Sequence, residues 1–354
     1  MASTFPRSPA EPIDIRVTLP REAAALSQFL GRMLPRGRGH PAGDHMRWKY
    51  WSARPDWEGS RSFVATHDGR IVAHAAAWPV RVRVPGLVVP AAHLIDWASD
   101  PRYPGAGTWL LRRIGTRVGM LIATGGSDIT RRILPLLGFR RSGELGCYAR
   151  PVRPLAQALT RPERDWRIAA RLVRNTFWRV LPPLSVPRGW SVVPLAPEDV
   201  PEELWCQPSN ATAVTARDPG MYGHVVRCPS APHTLFGLTK NGRLMGYFCL
   251  AFAPHVARIA DFWLRSPSAD DWCAGCRTAT AAAARGTHIC EVSAWASTAI
   301  GRVALYQAGF RLRDRSALSV FGDAEILGGR ELHVQMLDCD ASFLSADQGV
   351  SYLT

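Results

Sequence analysis

The segment from Asp100 to Ile114 contains the residue types of an anion-binding loop. It follows an apolar, strand-like run and opens a helical pattern, with glycines at positions 105 and 107. Glycines let backbone N–H groups approach a ligand closely, because no Cβ stands in the way. A helix that begins there presents unpaired N–H donors and the positive end of its dipole. Arg102 adds a charge suited to a phosphate. We therefore predict that this loop binds a pyrophosphate-bearing cofactor.

The elements that must position this loop occur twice along the chain. Each half has a strand, a tight turn of the Asp-Gly or Asn-Gly type, a second apolar strand, a buried strand containing an acid, and a glycine after a helix. Three matches in one order at nearly constant spacing indicate the duplication of a domain. The matched pairs are Asp68-Gly69 with Asn241-Gly242, Asp96 with Asp261, and Gly138-Phe139 with Gly309-Phe310.

The order of elements in each half predicts the fold class. A helical part, a hairpin, a long third strand, a helix, a strand, a helix and a closing strand pair give a mixed, mostly antiparallel sheet flanked by helices, of the α/β (α+β) class. We expect two such domains, joined by a linker. The predicted segments are a tail at 1–12, a first domain at 13–150, a basic linker at 151–187, a second domain at 188–345 and a tail at 346–354.

The first half resembles the GNAT superfamily of acyl-CoA-dependent N-acyltransferases. GNAT proteins hold the pyrophosphate of acyl-CoA with an Arg/Gln-x-x-Gly-x-Gly/Ala loop between the fourth strand and the third helix. This chain has Arg102-x-x-Gly105-x-Gly107 in that place, and the Gly-Phe pairs named above match the family's Gly-Phe after the fourth helix. The resemblance covers most of residues 13–150 and, more weakly, 188–345. It implies two tandem GNAT-like domains.

The resemblance also implies a co-substrate and its contacts. The co-substrate is acyl-CoA, most simply acetyl-CoA, and no metal is required. In the second half, Asp270 and Asp271 stand where the glycine pair should be, and acids there would repel a pyrophosphate. We therefore predict that the second domain has lost cofactor binding and serves as a scaffold, lid or substrate surface. The predicted cofactor contacts in the first domain are Trp97, Ala98, Arg102, Tyr103, Gly105, Ala106, Gly107 and Thr108.

Acylation of an amine by a thioester needs a base for the amine and an acid for the thiolate. Asp96 is the first candidate base, because an aspartate inside an apolar strand is costly to bury unless it is paired; His93 is the second. The alternative for Asp96 is a structural role, which its repetition as Asp261 favours, and the alternative for His93 is a satisfied buried histidine. The family's usual tyrosine acid is Leu134 here, so Tyr148 is the candidate acid, with interface packing as its alternative.

The linker has a basic and aromatic pattern of its own. Such a helix can lie on an anionic membrane surface. The alternative is a solvated helix between the domains that packs its tryptophans on both of them. The residues of the pattern are Arg161, Arg164, Arg167, Arg171, Arg174 and Arg179, with Trp166, Leu172, Phe177 and Trp178 between them.

A cysteine pair offers a different chemistry. Cys273 and Cys276, together with Asp261-Phe262-Trp263, resemble the active-site segment of thioredoxins, and thiols at a helix start can have a lowered pKa. The two pieces are farther apart than in thioredoxins, however, so we do not predict redox activity. A zinc site that adds His288 and Cys290 would have unusual ligand spacing.

Composition limits the remaining classes. The net charge of +14 comes almost entirely from arginine and suits phosphates, nucleotides or a membrane surface. No basic run alternates with aromatics in a nucleic-acid-binding pattern, so we predict no nucleic-acid partner. The first twelve residues lack the apolar core of a signal peptide, and residues 244–264 are interrupted by charges as buried strands are. We expect a cytoplasmic protein with reduced thiols.

The sequence therefore predicts an N-acyltransferase, most simply an N-acetyltransferase, that acts on a primary amine of a small molecule. An amino sugar of surface polysaccharide synthesis is an acceptor chosen by analogy with bacterial GNAT-like proteins. The alternative is a non-catalytic binding or scaffold protein of decayed GNAT domains, or one that associates with a membrane surface. Binding of acyl-CoA separates the two hypotheses. The sequence does not indicate an oligomeric state.

Overall fold

A computed structural model describes residues 13–34, 43–161, 166–343 and 352–354. The predicted tail at 1–12, Arg164 of the linker and residues 346–351 of the second tail lie outside the described residues. In the described part, strands from both halves join one mixed sheet, and helices cover it. The predicted α/β class is confirmed.

The element order follows the predicted repeat. The first half contains β1 (Asp14–Val17), α1 (Ala23–Met33), α2 (Asp44–Tyr50), β2 (Ser62–His67), β3 (Arg70–Val84), β4 (Leu87–Ser99), α3 (Ala106–Gly115), β5 (Met120–Thr124), α4 (Asp128–Leu136) and β6 (Arg140–Pro151). The linker contains α5 (Pro154–Thr160) and α6 (Arg167–Val180). The second half contains β7 (Trp190–Pro194), β8 (Thr212–Thr215), α7 (Pro219–Val225), β9 (His233–Lys240), β10 (Arg243–Ala253), β11 (Val256–Leu264), α8 (Ala269–Ala283), β12 (Glu291–Ala296), α9 (Ala299–Gln307), β13 (Arg311–Gly322) and β14 (Glu331–His333).

Both predicted hairpins are present. β2 pairs with β3 and β9 pairs with β10, in each case antiparallel. The turns have positive φ at both central residues, 49° and 71° at Asp68-Gly69 and 51° and 80° at Asn241-Gly242. These dipeptides adopt such angles at little cost, which is why they specify the turns.

The closing strands differ from the prediction. Instead of a strand pair within each half, each half ends in one long strand that crosses into the other half. β13 pairs with β5, with Leu318 opposite Thr124, and β6 pairs with β12, with Tyr148 opposite Ala294. β6 and β13 also pair with each other. The exchange covers the open edges of β5 and β12, which would otherwise expose unpaired backbone groups. The division of the chain into two domains at the predicted boundaries stays a prediction.

The core has one shared layer and two separate ones. A single cluster joins buried residues of both halves, among them Trp78, Tyr222 and Leu337. On β3, alternate residues point to opposite faces of the sheet. Trp78 and its alternate neighbours belong to the shared cluster, whereas Ala75 and Ala77 pack in a cluster with Leu110 of α3. Small alanines on that face let α3 lie close to the sheet.

Candidate active site

The loop between β4 and α3 is shaped by two glycines with different tasks. Gly105 precedes α3 in the left-handed conformation, with a φ of 90°, and no side chain caps the helix there. An L-residue would be strained at this φ. A Cβ on Gly107 would lie 2.8 Å from Nε1 of Trp97. Gly107 therefore allows the first turn of α3 to approach the end of β4.

The N-terminus of α3 is open to an anion. Helix geometry leaves the amides of the first turn without acceptors inside the helix, and no acidic residue lies in that turn. The side chain of Arg102 is 80% exposed beside it and pairs with Asp100 at 2.7 Å. Hydrogen bonds from Arg102 lower the pKa of Asp100 to about 2. The dipole and an exposed guanidinium thus act at the same end of the helix.

The other predicted cofactor residues lie at the same corner. Trp97 and Ala98 are near the end of β4, Tyr103 is half-buried in the loop, and Ala106 and Thr108 belong to the first turn of α3. The structure therefore brings the predicted set together. Its binding role stays a prediction.

β4 leaves the regular sheet at Asp96, whose φ is 49°. The register of β4 against β3 shifts just after His74. His74 Nδ1 lies 2.8 Å from the main-chain oxygen of Asp96, and its Nε2 lies 2.9 Å from Oγ of Ser62. Because a carbonyl oxygen only accepts, Nδ1 donates and holds the bulge in place. β4 and β5 pair only at Ala91–His93, so the two strands separate beyond that point.

The separated strands border a cleft of about 270 Å³. Its walls come from both halves of the chain, because the shared sheet brings β12 and the segment after β14 towards β4 and β5. The first half contributes Leu34, Leu94, Ile95, Asp96, Trp97, Ala123, Thr124, Gly125, Gly126, Thr130 and Leu134, and the second half contributes Trp295, Cys339, Asp340 and Ala341.

Two carboxylates in the cleft share one lysine. Lys49 Nζ lies 2.6 Å from Oδ2 of Asp96 and 3.0 Å from Oδ2 of Asp340. Tyr50 donates its hydroxyl to the same oxygen of Asp96. Burial alone would lower the pKa of Lys49, but the charges of Asp340 and Asp96 outweigh it and raise that pKa. The lysine is therefore a fixed cation. The side chain of Asp96 is only 4% exposed, whereas that of Asp340 is 27% exposed.

The other two catalytic candidates lie elsewhere. His93 is fully buried on β4, and neither ring nitrogen has a hydrogen-bond partner among the described residues. Burial lowers its pKa to about 4, so the ring is neutral at pH 7. Tyr148 lines a separate cavity of about 480 Å³ with Arg302 and Glu331. The structure does not bring Tyr148 to Asp96, because β6 is paired between β13 and β12.

Lys49, Tyr50 and Asp340 were missed by the sequence analysis. Lys49 is one of two lysines in a chain that otherwise uses arginine, and it lies in a helical segment with Trp48 and Tyr50. That exception was a usable indication of a specific role. Nothing in the sequence points to Asp340, because the contact depends on how the second half folds back onto the first. Leu134 lines the cleft, so the expected tyrosine is replaced by an apolar wall.

The corresponding helix end in the second half is closed. Ser268 caps α8 by accepting a hydrogen bond from the amide of Asp271. The carboxylate of Asp271 is held by Lys240 at 2.7 Å. The space between β11 and β12 is only about 10 Å³ and is bordered by Phe262 and Trp272. Their ring centroids are 5.4 Å apart.

Asp261 is enclosed in an ion-pair network. It accepts two hydrogen bonds from Arg217, at 2.8 and 3.1 Å, and one from the hydroxyl of Tyr222. Arg217 also pairs with Asp338 at 2.7 Å. These side chains are buried. Each interior charge has an opposite partner, which is the condition for keeping it there.

The geometry does not favour redox or zinc chemistry. Burial raises the pKa of both Cys273 and Cys276, so these thiols are protonated at neutral pH. In the described ranges, no group of three or more His, Cys, Asp or Glu side chains could hold a metal ion.

Comparison with known proteins finds a domain match within the first half and structures of similar fold. Residues 35–114 match the model of an acetyltransferase (GNAT) domain. That segment runs from before α2 through most of α3 and so contains the bulge and the glycine loop. No curated protein sequence matches the chain.

Solved structures of low sequence identity share the fold. Saccharomyces cerevisiae N-myristoyltransferase with bound myristoyl-CoA and inhibitors has 13% identity and a TM-score of 0.60, covering 91% of this chain and 82% of that one. A GCN5-related N-acetyltransferase from Anabaena variabilis has 12% identity and a TM-score of 0.56, covering 90% of this chain and 75% of that one. Residues 35–114 are therefore similar to a GNAT acetyltransferase domain, and the chain shares its fold with these acyltransferase structures.

Proposed function

We propose that this chain is an N-acyltransferase that moves an acyl group from acyl-CoA to a primary amine. The observation that carries the proposal is the glycine-shaped N-terminus of α3 beside a cleft between β4 and β5. The helix end suits a pyrophosphate, and the cleft leads to a pair of carboxylates. Acyl-CoA has the matching parts, a phosphate-bearing end and a narrow arm that ends in the thioester.

The residues present fit this co-substrate. The amides of Gly107 and Thr108 in the first turn of α3, with the guanidinium of Arg102, would hold the pyrophosphate. Nε1 of Trp97 is buried without a hydrogen-bond partner among the described residues, and it lies beside Gly107. A buried donor without an acceptor is costly unless a ligand satisfies it. We assign this donor to the arm of acyl-CoA.

The carboxylates would serve the amine. In the reaction, the amine nitrogen attacks the thioester carbon, the C–N bond forms and the C–S bond breaks. A cationic acceptor gives up two protons in all, one to the carboxylates before its nitrogen attacks and one to water as the amide forms. The thiolate leaves and takes a proton from water. We propose that Asp96, Lys49 and Asp340 act together: Asp340 faces the cleft and meets the incoming amine, and Asp96 holds Lys49. The two carboxylates take up the proton as one unit, with Lys49 balancing their charge, so both are needed.

The acceptor is proposed to be a small cationic amine. A cleft of about 270 Å³ suits a short acyl group, of which acetyl is the simplest, and a compact acceptor. The carboxylate of Asp340 attracts an ammonium group in this partly enclosed site. An amino sugar of surface polysaccharide synthesis satisfies these conditions, and its selection rests on analogy.

Calorimetric titration with acetyl-CoA tests the site. We expect one molecule bound per chain, and Gly105→Val should weaken binding by about tenfold or more because it strains the turn that aims the amides. Gly86→Val is the matched control, since Gly86 also has positive φ, 78°, and open space for a Cβ but lies in the β3–β4 turn. Undiminished affinity in Gly105→Val, or equal losses in both variants, would refute the assignment. A chain that binds no acetyl-CoA would instead be a scaffold.

A further inference from the structure

The linker helices α5 and α6 turn polar side chains towards the protein. Asn175 of α6 is buried and donates its amide to Oε1 of Gln157 on α5 at 2.8 Å. Gln157 is also buried and donates to Oε2 of Glu291 at 3.1 Å. The contact between this helix pair and the second half therefore includes a hydrogen-bonded polar network.

The opposite side of α6 is apolar and faces solvent. With 3.6 residues per turn, Trp166, Val173, Phe177 and Val180 lie on the side of the helix away from Asn175. They are 78%, 72%, 62% and 56% exposed. A helix that packs on a protein normally turns its apolar stripe inward. Here Ile168 and Leu172 are half-buried on the inner side of α6, yet a second apolar stripe faces solvent, which indicates that this stripe serves another surface.

The second linker helix extends this apolar surface. Leu155 and Leu159 are one helical turn apart on α5 and are 62% and 73% exposed. They lie on the side of α5 away from the buried Gln157. We call these two side chains, together with the three exposed apolar side chains of α6 and the Trp166 that precedes it, the linker face. Its members are Leu155, Leu159, Trp166, Val173, Phe177 and Val180.

Arginines lie on one flank of α6, around Trp178, between the linker face and the protein. The guanidinium of Arg174 lies 4.4 Å from the ring centroid of Trp178, and those of Arg311 and Arg313 each lie 5.9 Å from it. Burial, and then the neighbouring charges of Arg313, Arg171 and Arg161, lower the pKa of Arg174. Neither α5 nor α6 contains an acidic residue. This flank of α6 is thus a group of mutually repelling cations.

This pattern selects among possible partners. A second copy that used the same face would bring arginines against arginines across a two-fold axis, which is unfavourable. An anionic bilayer offers both complements, phosphate groups for the guanidinium ions and an acyl boundary for the apolar side chains. We propose that the linker face binds the surface of an anionic membrane, with α6 lying in the plane of the interface.

The proposal concerns the surface of the bilayer only. In the part of the chain that the structure describes, no helix has the length and apolar character needed to cross a membrane. A helix of 14 residues is about 21 Å long, which suits a position along the interface. Binding of this kind should be reversible and should weaken with salt, because part of it is electrostatic.

Vesicle co-sedimentation of the full chain tests the proposal. We expect binding to phosphatidylcholine vesicles that contain about one-third phosphatidylglycerol, and at least about tenfold weaker binding to pure phosphatidylcholine. The double variant Val173→Ser with Phe177→Ser should reduce binding to the anionic vesicles by about tenfold or more, because two exposed apolar groups are lost. Arg171→Gln with Arg174→Gln should remove much of the salt dependence.

A matched control separates this face from general surface hydrophobicity. Ile129 and Leu136 on α4 are 68% and 83% exposed. Their double serine variant should bind vesicles like the unmodified chain, and circular dichroism should show that every variant is folded. Equal binding to neutral and anionic vesicles, or unchanged binding of the Val173/Phe177 variant, would overturn the proposal. So would self-association that this variant abolishes in a chain that binds no vesicles.

Discussion

The N-termini of α3 and α8 occupy equivalent places in the repeat and differ in what satisfies them. α3 begins after a left-handed glycine and has no side-chain cap, whereas α8 is capped by Ser268 and carries Asp270 and Asp271 in its first turn. Both arrangements suit a helix dipole. The first leaves its amides without a side-chain cap, and the second satisfies one of them with a serine of the chain itself.

The same difference recurs in the strands beside these helices. Between β4 and β5 a cleft of about 270 Å³ remains, and between β11 and β12 only about 10 Å³. Asp96 lines the open cleft, but Asp261 is closed in by Arg217 and Tyr222. Two halves with the same order of elements can thus differ: one leaves polar groups of its helix end and strands open, while the other satisfies its own and supports the shared sheet.

The largest expected effect concerns the closed network. Asp261→Asn removes one of the two carboxylates that pair with Arg217 in a fully buried site, and with it the charged acceptor of the Tyr222 hydroxyl. We expect the free energy of unfolding to fall by about 3–5 kcal/mol, as is typical when a buried ion pair is broken. Urea unfolding measures this loss. Acetyl-CoA affinity and turnover of the folded variant should be unchanged; a loss of turnover at unchanged stability would show that the second half carries chemistry.

β4 and β11 also differ at the position three residues before their acids, Asp96 and Asp261. β4 buries neutral His93, whose pKa is lowered to about 4, and β11 buries Arg258. Below pH 6.5 the unfolded chain protonates this histidine and the folded chain does not, so stability falls as the pH drops from 6.5 to 4. His93→Leu should make the loss between these pH values smaller by about 3 kcal/mol.

Unfolding midpoints at pH 7 and pH 4 test the His93 prediction. If stability depends on pH equally in His93→Leu and in the unmodified chain, the pKa of this ring is the same in the folded and the unfolded chain, and the prediction is wrong.

The smallest expected effect on free energy concerns catalysis. Asp96→Asn and Asp340→Asn keep the side-chain shape but remove a charge beside Lys49. Each should lower kcat by about a hundredfold, the usual size of a general-base effect, and leave acetyl-CoA affinity unchanged. Asp340→Asn should also raise KM for the amine, because this carboxylate faces the cleft.

Steady-state kinetics with a varied amine measure both constants for these variants. Asp261→Asn is the matched control, since it removes the equivalent charge from the other half. If Asp96→Asn lowers stability without changing turnover, Asp96 is structural and the proton passes to Asp340 alone.

Local chemistry in the sequence determined the fold class, the hairpin turns and the position of the glycine loop. Asp68-Gly69 and Asn241-Gly242 favour positive φ angles through their own residue types. Gly105 permits a left-handed turn, and Gly107 permits the close approach of α3 to Trp97. These features depend on neighbours along the chain, so a single sequence contains them. The apolar strands around Asp96 and Asp261 also indicate that these acids are buried. They do not indicate the partners, Lys49 and Arg217.

Only the tertiary structure decided which groups meet. The exchange of β6 and β13 cannot be read from either strand's sequence, because the alternation of a strand shows which of its faces is buried and not which strand lies beside it. That exchange carries Tyr148 away from Asp96, and the folding back of the second half brings Asp340 to Lys49. Contacts between residues 49 and 340 depend on how the two halves close around one core. Neither hydrophobic periodicity nor a turn dipeptide in the sequence indicates that these two residues meet.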